Sequence, residues 1–355
     1  MFFKNNLHIA IVGAGAVGGY VGGTLLNAGF RITFIDPWND HVDHICKHGI
    51  TISNVKGQYT IPAKALHISQ VQSLMRDPID FAILSVKSFD TLWATRMIKD
   101  YLKPNGFVVS MQNSINEHQV AQIMGNQSTL GCVLNTIGVS TIGPGHLDRH
   151  RLPGGGGHTV FRVGELHGRI TPRLTQLVEI LQNVDSSSAT QNLWGERWSK
   201  LITNAMQMGI LGATGLCNEE IIGNDKIRFL IIRCAVEGIK TANALGFDLE
   251  PIVDVLPQDW IKAGDGDESN LKKVNESLLA YLNRQTPEGK KGKGSLGRDV
   301  LMGRRSEIEY INGLIASEGE RIAVSTTINR SLARIIQSIE LGKLTQSINN
   351  IAALL

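Results

Sequence analysis

The chain has 355 residues, 42% of them hydrophobic and 19% charged, with a net charge of +3. That length suits two domains of ordinary size, the charge is too small to argue for nucleic acid, and no apolar run is long enough to span a bilayer. Cys46, Cys132, Cys217 and Cys234 lack C-x-x-C spacing, which argues against a disulfide framework or zinc site and fits a reducing cytoplasm.

The first apolar run, through His8-Ile9-Ala10-Ile11-Val12, leads into Gly13-x-Gly15-x-x-Gly18. No cleavage site follows it, so it reads as a strand and not a signal peptide. From Ala16 to Ala28 the apolar spacing is helical. Strand, tight turn and helix are the context that a dinucleotide motif requires. Gly13 permits the turn, Gly15 lets a pyrophosphate approach, and Gly18 lets helix and strand pack closely. Ala16 and Val17 open the helix, where free amides favour phosphate. A second strand, Arg31 to Ile35, ends at Asp36, close to the spacing of an acid that takes a ribose 2′-hydroxyl. The plainer alternative is a glycine-rich turn with Asp36 as a helix cap.

A polar helix follows through His41 to His48, and Gly49 ends it. Ile50 to Ile52 and Tyr59 to Ile61 read as a hairpin around Gly57. Phe81 to Val86, before Lys87, and Gly106 to Met111, before Gln112-Asn113, are continuous apolar runs of the buried parallel-strand kind. Thr91 to Tyr101 reads as a helix between them, and Cys132 to Thr136 as one more strand. This alternation predicts an α/β fold, with an N-terminal Rossmann-type, doubly wound, mostly parallel sheet. Gly15, Lys87 and Asn113 all follow strand ends, where such sheets bind ligands. Gly143 to Glu165 reads as antiparallel strands joined by a flexible turn at Gly154 to Gly157.

From Leu193 the pattern turns helical, predicting a C-terminal all-helical domain. The expected division is 1–191 for dinucleotide binding and 192–355 for substrate and catalysis. Helices are expected over Leu193 to Leu211, Ile227 to Leu245, Ser269 to Leu282, Asp299 to Ser317 and Asn329 to Leu341. Thr286 to Arg298, with Lys290, Lys291 and Lys293 among glycines, reads as a solvated loop or a basic lid. Lys200 and Asn204, four apart, share a helix face. On pattern alone Lys200 reads as a snorkelling surface lysine, Glu307 as surface charge, and Asn113 as a cap.

The chain resembles the ketopantoate reductase (2-dehydropantoate 2-reductase) family over nearly its whole length. The likeness rests on Gly13-x-Gly15-Ala16-x-Gly18, Ser85-Val86-Lys87-Ser88, Gln112-Asn113, Trp198-Ser199-Lys200-Leu201-x-x-Asn204, Ser295-x-x-x-Asp299 and the block Gly303 to Gly313. It implies a Rossmann domain and a helical domain with the active site in the cleft between them. It implies hydride transfer from a reduced nicotinamide to the ketone of 2-dehydropantoate. Lys200 matches the general acid, and Glu307 the acid that holds substrate and sets the lysine. Asn113 and Asn204 match asparagines for substrate hydroxyls and the nicotinamide end, and Ser295 a serine for the substrate carboxylate. Lys87 matches a lysine at the cofactor rim, and Gly13, Gly15 and Gly18 carry the pyrophosphate.

Three positions depart from the family pattern. The family commonly uses NADPH, with a basic residue where Asp36 stands; a carboxylate there favours NADH. Asn113 is followed by Ser114 and not by glycine, so the turn is expected to differ. Met208 replaces a polar substrate contact, which leaves another branched 2-oxo acid open as substrate. A non-catalytic dinucleotide sensor is the rival from another class. The expected partners are a small 2-oxo acid and a second copy of the chain, with no nucleic acid and no membrane.

Overall fold

A computed structural model describes residues 7–150, 153–154, 159–285 and 294–355. The chain divides into two compact units, Met1–Leu193 and Trp194–Leu355.

The first unit contains β1 (His8–Val12), α1 (Ala16–Asn27), β2 (Arg31–Asp36), α2 (Asn39–His48), β3 (Ile50–Asn54), β4 (Gly57–Ile61), β5 (Lys64–His67), β6 (Ile79–Leu84), α3 (Thr91–Lys99), β7 (Leu102–Ser110), α4 (Glu117–Met124), β8 (Thr129–Leu134), β9 (Val139–Gly143), β10 (His146–Arg149), β11 (Phe161–Glu165), α5 (Pro172–Leu181) and β12 (Ser187–Ala189). Eight strands form one sheet in the order β12-β11-β8-β7-β6-β1-β2-β5. All neighbours are parallel except β8 and β11. β1 lies between β2 and β6, with Ile9 beside both Ile32 and Phe81. All five of its residues are buried. Alternate side chains enter opposite cores: Ile9 and Ile11 pack with Tyr20, Leu25 and Ile45, whereas Ala10 and Val12 pack with Ala94, Ile98 and Val120. A strand covered by helices on both faces has no polar side, which is why its sequence is apolar throughout. The mostly parallel, doubly wound sheet expected from the sequence is present.

The hairpin expected around Gly57 forms as β3 and β4, and it joins a second sheet of order β4-β3-β10-β9. The segment 143–165 differs from expectation. Its two strands do not pair: β10 joins β3 and β9 in the second sheet, while β11 joins β8 in the first. Phe161, Val163, Gly164 and Glu165 are buried, so β11 belongs inside the larger sheet. Of the glycine run, 155–157 lie outside the described residues.

The second unit consists of α6 (Leu193–Thr214, whose first residue belongs to the first unit), α7 (Asn218–Ile222), α8 (Asp225–Ala244), α9 (Pro257–Gly264), α10 (Glu268–Gln285), α11 (Gly294–Leu301), α12 (Asn312–Arg321) and α13 (Thr327–Glu340). The single helix expected over Asp299 to Ser317 is two helices. Gly303 at φ +63° ends the first, and a 3-10 turn at Ile308–Tyr310 precedes the second. The loop expected through Arg298 gives way to α11 from Gly294 onward, and 286–293 lie outside the described residues.

A buried polar network pins these helices together. The Asn312 amide donates to Ala205 O (3.1 Å) and to Asn329 Oδ1 (2.9 Å). Asn329 donates from its amide to Cys234 O (3.1 Å) and to Glu237 Oε2 (2.9 Å), and its backbone N–H also meets Glu237. Both asparagines are fully buried. Removing one side chain strands its partners away from water, so Asn329→Ala should cost about 3 kcal/mol. Chemical denaturation would measure it, and a loss within 0.5 kcal/mol, as expected of a surface substitution, would refute the network's role (~0.5 kcal/mol).

Candidate active site

The dinucleotide motif is built as its residue types require. Gly13 has φ +92°, and a Cβ there would lie 2.8 Å from Val86 N. A Cβ on Gly18 would lie 2.1 Å from both Gly13 O and Ser85 Oγ. Gly15 is the opposite case, since a Cβ on it would meet nothing within 4 Å. The first and third glycines are therefore enforced by packing, while the second borders open space. Gly15 is the N-cap of α1, and no side chain caps the helix. The opening amides at Ala16 and Val17 thus stand without a capping side chain, beside that space, as a phosphate requires. These residues fit the pyrophosphate of a nicotinamide dinucleotide.

Asp36 ends β2 beside this turn. Its Oδ2 accepts from Ala14 N (2.8 Å) and its Oδ1 from Trp38 N (2.9 Å). The carboxylate thus braces the glycine turn while retaining lone pairs for a further donor. Ser85 adds a second brace, donating to Gly13 O (2.7 Å). Lys87 opens the short 3-10 turn that follows β6. Asn113 follows β7, and its carbonyl accepts from Asn116 Nδ2 (2.7 Å). Ser114 takes φ +67°. The turn after Asn113 therefore holds a serine in the left-handed geometry that glycine favours, at a cost of about 1–3 kcal/mol. Gln112 ties the two strand ends together, donating to Val86 O (3.0 Å) and Thr91 Oγ1 (2.8 Å).

His41 was not distinguished in the sequence. It accepts from Gly145 N at Nδ1 and donates from Nε2 to Ala14 O, both at 2.9 Å. Burial holds its pKa below the usual value, in keeping with a neutral ring of one tautomer. No local pattern signals it, because its partners are 27 and 104 residues away.

In the second unit, α6 brings Lys200 and Asn204 onto one face, with Met208 a turn further on. Trp198 is buried and stacks on Phe247 at 5.6 Å, and Ser199 donates to Glu250 O (2.9 Å). These contacts fix the rotation of the helix. Lys200 keeps a little solvent contact, yet desolvation lowers its pKa from 10.5 to about 8. Asn204 is 4% exposed, and its amide nitrogen has no hydrogen-bond acceptor among the described residues. Gln207, which no sequence pattern singles out, is likewise buried, with an amide nitrogen that has no partner among the described residues. Buried donors left free are rare and suit a ligand.

Ser295, in α11, has its Oγ 4.0 Å from Met208 Sδ. It therefore sits beside the α6 face one turn beyond Asn204. Glu307 is buried and starts the turn before α12, its carbonyl accepting from Tyr310 N (2.9 Å). The contact between Asn312 and Ala205 anchors the far side of that turn to α6. Packing within the second unit thus draws Ser295 and the Glu307 turn toward the helix of Lys200 and Asn204.

Comparison with known proteins identifies the family. Residues 9–164 match the family model of ketopantoate reductase PanE/ApbA, and residues 192–340 match its C-terminal model. The chain belongs to the ketopantoate reductase family. It is accordingly an oxidoreductase of NAD(P)H-linked type. A 2-dehydropantoate 2-reductase of Archaeoglobus fulgidus is 24% identical over 340 residues, covering 94% of this chain and 98% of the relative. One of Pyrococcus horikoshii is 27% identical over 342 residues, with the same coverages. Among solved structures, a PanE/ApbA family ketopantoate reductase from Ralstonia eutropha superposes with a TM-score of 0.76 at 23% identity, covering 95% of this chain and 99% of that one. A D-mandelate dehydrogenase, in a ternary structure with NADH and anilino(oxo)acetate, gives 0.77 at 19% identity and the same coverages. At these identities the structural likeness establishes the fold.

Proposed function

We propose that the protein reduces the ketone of 2-dehydropantoate with NADH, giving pantoate for pantothenate and coenzyme A synthesis. Residues 1–191 bind the dinucleotide, and 192–355 carry the substrate and the acid. The observation that carries this reading is Lys200, whose ammonium is desolvated on one helix face with Asn204. An acid with a pKa of about 8 is matched to proton transfer near neutral pH. The nicotinamide, when bound, supplies the hydride. Lys200 polarises the ketone oxygen and donates its proton as negative charge grows there. Asn204 and Asn113 hold the substrate hydroxyl and the nicotinamide end of the cofactor, Ser295 takes the substrate carboxylate, and Glu307 orients substrate and lysine. Gly13, Gly15, Ala16, Val17 and Gly18 hold the pyrophosphate, with Lys87 at the rim.

The direct test is absorbance at 340 nm with 2-dehydropantoate and either NADH or NADPH. Absence of turnover with any 2-oxo acid, despite dinucleotide binding, would favour a sensor. A second substrate class is supported by one contact. Met208 brings a thioether, not an amide, to Ser295, which suits another branched 2-oxo acid with an apolar side chain, so such acids belong in the same assay.

Asp36 favours NADH, because a carboxylate accepts from a 2′-hydroxyl and repels a 2′-phosphate. Asp36→Asn should lower the NADH-to-NADPH ratio of kcat/KM about tenfold, the size expected for losing one charge-based discrimination. An unchanged ratio would remove Asp36 from cofactor selection. Among the described residues no helix is long and apolar enough to cross a membrane, and a ketopantoate reductase of Staphylococcus aureus with the same fold is described as dimeric. The proposed state is a cytoplasmic homodimer; the dimeric relative supports the dimer, which light scattering of the purified protein would check.

A further inference from the structure

Trp38 is a large apolar side chain left 43% exposed, two residues beyond the acid of the dinucleotide motif. It is not a loose surface residue. Its indole lies parallel to the His41 ring, centroids 5.1 Å apart and planes within 9°. His41 is in turn locked by hydrogen bonds to Ala14 O and Gly145 N. The Trp38 backbone is held as firmly, since its N–H donates to Asp36 Oδ1. Pro37, just before it, accepts from His67 Nε2 at 3.2 Å through its carbonyl. The indole thus rests on an imidazole that is itself fixed to the glycine turn. His41 covers one face of the indole, and 43% of the residue is exposed.

Such an arrangement costs apolar hydration and gains nothing for folding on its open side. It does supply a pre-organised π surface next to the Asp36 carboxylate. An aromatic ring stacks on any base, because every base has a π face, and each such contact contributes about 1–3 kcal/mol. We propose that Trp38 is the stacking wall for the adenosine half of the dinucleotide, with the His41 ring as its fixed backing. The ligand class is a purine nucleoside diphosphate, and the proposal rests on the dinucleotide reading above. Asp36 then selects the ribose and Trp38 supports the base, both tied to the turn that takes the phosphates.

The test uses the full chain, with ADP-ribose and NADH as probes. Calorimetry on wild type, Trp38→Phe and Trp38→Ala should give Kd values for ADP-ribose within about threefold for Phe and about tenfold weaker for Ala, as expected for loss of one base stack. Tryptophan fluorescence of the wild type should be quenched as ADP-ribose binds, and this quench should vanish in Trp38→Phe although binding persists. Melting temperatures of the variants report folding separately. Trp38→Ala binding ADP-ribose with the wild-type Kd would overturn the proposal while leaving the reductase reading intact. So would a wild-type quench that survives in Trp38→Phe. If the wild type binds neither ADP-ribose nor NADH, the reductase reading falls and this proposal with it. A Trp38 that serves a protein partner instead would appear as unchanged nucleotide affinity.

Discussion

Lys200→Ala is expected to lower kcat for oxo acid reduction by about 10²- to 10⁴-fold, the range supplied by a positioned general acid, while the Kd for NADH stays unchanged. The dinucleotide motif belongs to the first unit and Lys200 to the second, so the two measurements separate. Near-normal turnover in the variant would remove Lys200 from the mechanism. Its pH behaviour gives an independent check. Burial lowers the lysine's pKa from 10.5 to about 8, so reduction should lose rate above about pH 8 as the proton is lost. A flat profile from pH 7 to 9.5 would contradict that assignment.

Linkage fixes the sign for stability. Between about pH 8 and pH 10.5 the unfolded chain holds a proton on Lys200 that the folded chain has released. Stability therefore gains from this residue as pH rises through that window, and it carries the full burden of the buried ammonium below it. Lys200→Met should abolish that contribution. Denaturant midpoints at pH 7.5 and 10 for both proteins would show it, as a larger rise, or smaller fall, with pH in the wild type.

Gly18→Ala is expected to destabilise the protein by about 1–3 kcal/mol, the cost of overpacking, and to weaken NADH binding by about tenfold or more. The added methyl would lie 2.1 Å from the Gly13 carbonyl oxygen and 2.1 Å from Ser85 Oγ, with Ile11 Cγ2 at 2.9 Å. The carbonyl belongs to a backbone turn held by Gly13 N donating to Ile35 O at 2.8 Å. It yields only if α1 moves off β1, and the phosphate-facing amides move with the helix. Gly15→Ala provides the contrast. A Cβ there meets nothing within 4 Å, so melting temperature should barely change. The methyl would instead occupy the approach to the pyrophosphate, so NADH affinity should fall all the same. Equal affinity in Gly15→Ala and wild type would show that the open space beside Gly15 is not where the phosphates lie.

How much of this was visible in the sequence depended on distance along the chain. Asp36 reads as part of the motif because strand, turn, helix, strand and acid come in one continuous run. His41 does not, although it holds the same turn, because its role is defined by Ala14 and Gly145. Ser114 carries a left-handed φ that its identity does not announce. The break at Gly303 is hidden in the sequence for a related reason. The surrounding residues have acceptable helical spacing, and only the positive φ, with the 3-10 turn after it, separates α11 from α12.

The sequence by itself determined the alternation of buried strands and helices, the three glycines with their acid, and the shared face of Lys200 and Asn204. Each of these follows from periodicity or from the steric limits of single residues, which act over a few positions. Tertiary structure alone decided the second sheet, the placing of Ser295 beside Met208, the Asn312 and Asn329 network, the desolvation of Lys200 and the stacking of Trp38 on His41. These depend on burial and on partners far apart in the chain. A lysine's pKa is set by how much water its surroundings exclude, and that is a property of the packed protein.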